Sequence, residues 1–337
     1  MDWEKKIDYS LVICTFNPDK RILQRCLEAV WQLDITGIST EVILVDNNSD
    51  LPLHQQSYIK IFEEKIPGMH ILLVPEQGVN YARMAAIEKA AGNYIVYFDY
   101  DNEPESDYLQ ELKKLNEQFP AVAAWGPGKV TVDFIDGVDN AIRHFASMAF
   151  QQREEQTVRT ARENSWQSCY PFGTGLCTTA SLLKEFVQLA RQGRFTASGR
   201  KGNKLSSGED TQMVLHCISK GYAAGVSPAL KLTHIIPQNR ANSQYLQRLL
   251  YGTFICYETC LLQVFPEQKK SLEQKIMPRW KFSRKSLKKF IRARWSKDPH
   301  KMFDLVEFIA TNAGTYAALN KPVPLPVNQI VRILKVE

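Results

Sequence analysis

The first hundred residues alternate between short, nearly unbroken apolar runs and stretches whose apolar positions recur with helical spacing. Residues 9–16, YSLVICTF, are apolar and β-branched, which predicts a buried strand; Ile22, Leu23, Cys26, Leu27, Val30 and Leu33 then mark a helix over 20–34. The apolar run at 41–45 stops in Asp46-Asn47-Asn48-Ser49-Asp50, turn formers placed directly after a strand, and completes a βαβ unit. A third strand at 70–74 leads past Glu76, Gln77 and Gly78 into a helix over 80–91. A fourth at 94–98 runs into Asp99-Tyr100-Asp101. Strands that are apolar on both faces and alternate with helices predict an α/β domain on a mainly parallel sheet flanked by helices. Ligands of such sheets collect at the carboxyl ends of the strands. Three of the four strands end there in polar clusters, namely Thr15-Phe16-Asn17, Asp46-Asn47-Asn48 and Asp99-Tyr100-Asp101.

Beyond residue 125 the texture changes. A Gly/Thr-rich run, Phe172-Gly173-Thr174-Gly175, precedes a helix near 180–191, and a small basic loop fills 196–204. A helix over 211–220 opens behind Ser207-Gly208-Glu209-Asp210, with Asp210 as N-cap or first-turn acid. Residues 241–265 read as a long helix, followed by a basic segment and a Pro-rich stretch that is expected to complete the chain. No internal repeat is evident.

Composition narrows the class without naming an activity. With 44% hydrophobic and 23% charged residues in a chain of 337, the numbers are those of a folded globular protein. The seven cysteines form no Cys-x-x-Cys pair and lie mostly in apolar patterns, which predicts reduced core thiols and neither a zinc site nor a disulfide framework. No secretory h-region precedes the first strand, and no stretch reaches the ~18–20 apolar residues of a spanning helix, so a cytoplasmic location is expected. The net charge of +6 is concentrated: residues 269–301 hold thirteen Lys or Arg against Glu273 and Asp298, leaving the rest net acidic. Within that segment, residues 279–295 set Leu287, Phe290, Ile291 and Trp295 along one helical face among cations. This pattern suits peripheral contact with the inner face of the cell membrane, a helix packed on the catalytic domain, or a nucleic-acid patch.

Asp99 and Asp101, at i and i+2 after a buried strand, are read as an extended pair pointing from one face. Two such carboxylates suit a hard divalent cation, Mn2+ or Mg2+, shared with a diphosphate. A dinucleotide-binding oxidoreductase is excluded, since Cys14-Thr-Phe-Asn-Pro-Asp19 has no glycine where its phosphate turn would need one. No nucleic-acid recognition module is present.

These motifs, in this order over roughly residues 8–240, resemble family-two glycosyltransferases of the GT-A fold. Val12-Ile-Cys-Thr-Phe-Asn17, Val42-Ile-Leu-Val-Asp-Asn-Asn-Ser-Asp50, Asn80-Tyr-Ala-Arg83, Phe98-Asp-Tyr-Asp-Asn102, Gly173-Thr-Gly175, Gly208-Glu-Asp210 and Leu232-Thr-His234 carry the resemblance. It implies a Rossmann-like catalytic domain at 1–240, with a donor-binding half at about 8–125 and an acceptor-side half at about 126–240. A helical, basic region at 241–337 follows. It further implies an inverting transfer from a nucleotide diphosphate sugar to a hydroxyl of a saccharide or lipid-linked saccharide, in polysaccharide or glycan assembly. By the same resemblance Asp46 accepts a hydrogen bond from the nucleobase, Thr15, Phe16 and Asn17 surround base and ribose, and Asn80 starts the helix behind the donor loop. Arg83 offers its guanidinium to phosphate or to a neighbouring carboxylate, Asp99 lies near ribose or sugar, and Asp101 is the chief metal ligand with His234 near the metal or diphosphate. Asp210 is the expected general base and Glu209 orients acceptor or base. Gly175 is assigned to the acceptor side, and Arg200 and Lys201 to a flap over donor or acceptor. A catalytically inactive sugar-nucleotide binder of the same fold is the alternative, against which the retained acids Asp99, Asp101, Glu209 and Asp210 argue.

Overall fold

The computed structural model describes residues 6–196, 205, 207–296 and 298–337. In chain order the elements are β1 (Tyr9–Thr15), α1 (Lys20–Trp31), β2 (Thr40–Asp46), α2 (Ser57–Lys65), β3 (Met69–Leu73), α3 (Val79–Lys89), β4 (Tyr94–Tyr97), β5 (Asn102–Pro104), α4 (Tyr108–Gln118) and β6 (Val122–Phe134). They continue with α5 (Arg143–Ala149), β7 (Arg153–Glu154), β8 (Arg159–Ala161), β9 (Cys177–Thr179), α6 (Ala180–Arg191), α7 (Glu209–Ser219) and β10 (Ala223–Ile236). The helices α8 (Ser243–Val264), α9 (Lys269–Lys275), α10 (Arg279–Trp295), α11 (His300–Ala318) and α12 (Leu325–Leu334) follow. The chain forms two compact units, both discontinuous in sequence. One comprises residues up to 133, 152–193 and 213–235, and the other 134–151, 194–212 and 236–337.

The first unit is built on a sheet of order β3-β2-β1-β4-β9-β6-β10-β5. β1 pairs in parallel with β2 and β4, and β2 with β3, in a register that sets Thr15 beside Asp46. The polar ends of the strands therefore lie along one edge. Although each strand is apolar throughout, its side chains still alternate between faces. Tyr9, Leu11 and Ile13 pack with Leu23, Leu27 and Val30 of α1, Ile59 and Phe62 of α2 and Leu109 and Leu112 of α4. Val12, Ile43 and Val45 point to the opposite face, where α3 lies against β1 and β2 and beside α6. Each of these fully buried aliphatic side chains contributes about 1.5–3 kcal/mol at most.

Past β4 the pairing is mixed: β9 runs antiparallel to β4 and to β6, and β5 antiparallel to β10. The long strands β6 and β10 contain Gly126-Pro127-Gly128 and Pro228, residues that ordinarily punctuate strands, which is why the apolar pattern alone does not predict them.

In the second unit α8 and α11 pack along their lengths, and α10 lies against α11 and α12. Phe145 stacks on Phe303 at 3.9 Å between ring centres, and Phe282 meets Phe308 edge-on at 5.9 Å. The Pro-rich stretch does not complete the chain: it leads into α12, with a proline in the first turn where a missing N–H costs nothing. Among the described residues, no helix is long and apolar enough to cross a membrane.

Candidate active site

Side-chain bonds to backbone lock the carboxyl ends of β1 and β2 together. The Thr15 hydroxyl donates to the Val45 carbonyl at 2.9 Å, and the Asn17 amide donates to the Ser49 hydroxyl at 3.0 Å. Asn17 and Asp50 exchange two further bonds of 2.9 and 2.8 Å. Asn17 adopts φ +45°, a left-handed conformation that asparagine tolerates better than most residues. Phe16, between them, is 43% exposed. Asp46 is buried, and its two carboxylate oxygens accept from the backbone N–H groups of Ser49 (2.9 Å) and Leu53 (2.8 Å). It thus closes the loop that follows its own strand. A carboxylate oxygen with one donor keeps capacity for another.

Asn47 is not among the sequence candidates, yet its side chain makes three hydrogen bonds on this edge. Its Nδ2 donates to the carbonyls of Val74 (3.2 Å) and Glu76 (2.6 Å), and its Oδ1 accepts from Gly78 N–H (2.7 Å). The end of β2 is thereby fastened to the loop that opens α3. Asn80 and Arg83 follow on the first turns of α3. The Arg83 guanidinium is buried over the Tyr97 ring, 5.3 Å from its centre, and donates to Asp99 Oδ1 at 3.2 Å.

The acidic motif after β4 differs from the extended geometry read from its spacing. Residues 99–102 form a turn closed by Asn102 N–H on the Asp99 carbonyl at 2.9 Å, so the two acids do not share a direction. Asp99 is directed to Arg83, whereas Asp101 is buried beside His234, whose Nε2 lies 3.5 Å from Asp101 Oδ2. The cause is Asn102, fully buried: its Oδ1 accepts the Asp99 N–H at 3.0 Å and its Nδ2 donates to Asp101 Oδ1 at 3.1 Å. A short polar side chain that bonds nearby backbone favours turn over strand. The antiparallel pairing of β5 with β10 sets His234 opposite Asn102, and Ile235 N–H donates to the Asp101 carbonyl at 2.8 Å. Below the turn, the Cys26 thiol donates to the Asp99 carbonyl. Burial, and after it the negative charge of Asp101, push that thiol up, and Cys26 stays neutral.

Gly175 is a packing position in the first unit. It has φ +68°, its carbonyl accepts from the Tyr108 hydroxyl at 2.7 Å, and a Cβ there would lie 2.6 Å from that oxygen. Glu209 and Asp210 belong to the second unit and form the first turn of α7, which begins two residues earlier than its apolar pattern suggests. Asp210 Oδ1 accepts the Thr211 N–H at 2.8 Å. Gly208, before them, has φ +134°. A Cβ at this position would lie 2.7 Å from Cys260 Sγ and 3.3 Å from Cys256 Cβ, so the turn of chain that presents the two acids rests directly on α8. Burial, followed by the charges of Cys256, Glu209 and Asp210, raises the Cys260 thiol. Arg200 and Lys201 lie outside the described residues.

Of the sequence candidates, the structure brings Arg83 to Asp99 and His234 to Asp101, and it ties Thr15, Asn17 and Asp46 into one edge. Among the described residues, no three or more His, Cys, Asp or Glu side chains are grouped as a metal cage.

Residues 10–176 match the model of the family described as Glycosyl transferase family 2. An N-acetylglucosaminyltransferase of Neorhizobium galegae is 22% identical over 270 residues, 78% of this chain and 58% of that protein. A cholesterol galactosyltransferase of Borreliella burgdorferi is 29% identical over 115 residues, 32% of this chain and 28% of that one. The chain therefore spans less than two thirds of the length of these curated relatives. Among solved structures, the mannosyltransferase PcManGT from Pyrobaculum calidifontis, in complex with GDP-Man and Mn2+, shares the fold with a TM-score of 0.50. It is 16% identical, over 98% of this chain and 76% of that one. With its sheet order, its ordered motifs and the family match, the chain holds a glycosyl transferase family 2 domain at residues 10–176 and has a GT-A fold.

Proposed function

We propose that the protein is a metal-dependent glycosyltransferase that moves a sugar from a nucleotide diphosphate sugar to an acceptor hydroxyl, with inversion at the anomeric carbon. The observation that carries this reading is the 99–102 turn, where Asp101, aimed by Asn102, meets His234 at the ligand-collecting edge of the sheet. A carboxylate oxygen is a ligand that Mn2+ and Mg2+ both accept, and an imidazole nitrogen beside it would favour Mn2+ over the harder Mg2+. Asp101 and His234, with Asp99 alongside, would hold the cation, which would supply charge neutralisation to the departing diphosphate. The relative solved with GDP-Man and Mn2+ shares this fold.

The chain's own residues then divide the work. Thr15, Phe16, Asn17 and Asp46 receive the nucleoside, Asp46 adding one hydrogen bond from the base to the two backbone amides it already holds. Asn80 and Arg83 stand behind the donor loop, Arg83 fixing Asp99 near the ribose or sugar. Asp210 takes the proton from the acceptor hydroxyl as its oxygen bonds to the anomeric carbon and the bond from that carbon to the diphosphate breaks; Glu209 orients the acceptor. Gly175 belongs to the acceptor side, and Arg200 and Lys201 to a flap. The acceptor class is a saccharide or lipid-linked saccharide in polysaccharide or glycan assembly, and the setting is the cytoplasm, at the inner face of the membrane when the acceptor is lipid-linked.

A panel of nucleotide sugars with Mn2+ or Mg2+, read by donor binding and by nucleoside diphosphate release, tests the reading. Wild type should bind one donor in a cation-dependent way, and Asp210→Asn should bind it equally while transfer falls about 10²–10⁴-fold. A wild type that binds no donor refutes the transferase, and an unimpaired Asp210→Asn refutes the base.

A further inference from the structure

Helix α10 has two apolar faces, and the protein covers one of them. Phe282, Ser286 and Ala293 are buried, with Phe282 against Phe308 and Tyr316 of α11. At roughly 100° per residue, Trp280, Leu287, Ile291 and Trp295 lie roughly 140–220° round from Phe282, on the opposite side. All four are exposed, Trp280 by 66% and Trp295 by 88%. Phe290, expected with them, lies half-buried toward the packed side. Lys281, Lys285, Lys288 and Arg292 border the apolar arc on one side and Arg294 on the other, while Arg284 lies within it, its guanidinium 5.7 Å over the Trp280 ring. The helix has eight Lys or Arg and no Asp or Glu. At its C-terminal end, Arg292, Trp295, Ser296 and Lys301 line an open cavity of about 580 Å³.

This combination selects its occupant. Nucleic acid would satisfy the cations and leave two tryptophans uncovered. A second copy would oppose two like-charged faces. The headgroup layer of an anionic leaflet meets both demands, since indole rings settle at the acyl boundary and cations pair with phosphates. We propose that α10 docks in the headgroup layer of an anionic phospholipid leaflet, with Trp280, Leu287, Ile291 and Trp295 in the acyl boundary and a lipid phosphate between Arg292 and Lys301. The transferase reading gives this face a use, a seat beside a lipid-linked acceptor. The docking itself is independent of catalysis, and its test reads lipid binding alone.

The full chain is floated with vesicles of phosphatidylcholine, and with vesicles that also contain phosphatidylglycerol. Two triple variants accompany it, Leu287→Ser/Ile291→Ser/Trp295→Ser and Lys288→Glu/Arg292→Glu/Lys301→Glu, all at exposed positions, with folding checked by circular dichroism. Wild type should float only with the anionic vesicles and detach as salt rises. The charge triple should lower the partition constant on the order of 100-fold and the apolar triple at least about tenfold. Flotation that is absent in wild type, equal on both vesicles, or unchanged in either triple overturns the proposal. A dimer abolished by the apolar triple, or duplex DNA binding abolished by the charge triple, without flotation, reassigns the face to a second copy or to nucleic acid and overturns it equally.

Discussion

Asn102→Ala is the most direct perturbation of the candidate site that leaves every proposed ligand in place. The side chain is fully buried and makes two bonds, accepting the Asp99 N–H at 3.0 Å and donating to the Asp101 carboxylate at 3.1 Å. The bond to the charged acceptor is worth about 1.5–3 kcal/mol, and a buried N–H left unpaired costs about 1–3 kcal/mol. Partial refilling by water offsets some of this, so a net loss of about 2–4 kcal/mol is expected. The effect on function comes through orientation: with its amide partner gone, Asp101 is no longer aimed beside His234, and loss of such an outer partner lowers metal affinity about 10–100-fold. Chemical denaturation measures the first quantity and titration of Mn2+-dependent donor binding the second. Asn102→Asp keeps the acceptor for the Asp99 amide but sets a second carboxylate against Asp101. Mn2+ should therefore restore more stability to it than to Asn102→Ala. Stability of Asn102→Ala within about 0.5 kcal/mol of wild type, together with unchanged donor affinity, would refute the argument.

Two further outcomes follow from the second unit. Gly208→Ala forces a side chain into a left-handed conformation 2.7 Å from Cys260 Sγ, which should cost about 1–3 kcal/mol in denaturation and depress transfer by displacing Glu209 and Asp210; native-like stability counts against that packing. Burial lifts the Glu258 carboxyl above its ordinary 4.5, with Lys275 pulling it back, so the folded state holds that proton more tightly than the unfolded chain. The stability linked to this group is then present at low pH and lost as pH rises through the elevated value. Glu258→Gln should accordingly be the more stable protein at neutral pH, with the gap closing below 4.5, and thermal melts that show no gap at neutral pH exclude the burial effect.

The parallel half of the sheet was readable because each strand is apolar throughout and ends in turn formers, so local pattern and tertiary role agree. The half beyond β4 was not, since Gly126-Pro127-Gly128 and Pro228 carry the local marks of loops and only pairing across the sheet makes them strands. Spacing alone put Asp99 and Asp101 in one direction, and the fold separates them through an asparagine that lies one position further on. That asparagine and Asn47 stood inside motifs already singled out, yet nothing local distinguishes an amide that staples two loops from one that merely turns the chain. The approach of His234 to Asp101 depends on β5 finding β10, a pairing that no window of sequence contains. On α10 the outer arc was legible in Leu287, Ile291 and Trp295, whereas Trp280 was missed and Phe290 turns toward the packed side. The inner face was not, because Ser286 dilutes the pattern of Phe282 and Ala293.

The pairing of residues 102–104 with 232–234 also sets an order in time. During synthesis the strands that fill the parallel core are complete once Tyr97 has emerged, but the partner that anchors the acidic turn leaves the ribosome roughly 7–26 s after Asn102. A nascent chain can hold a well-packed α/β core while its acids still lack their histidine. Completion of the scaffold and completion of the chemistry are thus separate events in the life of one polypeptide.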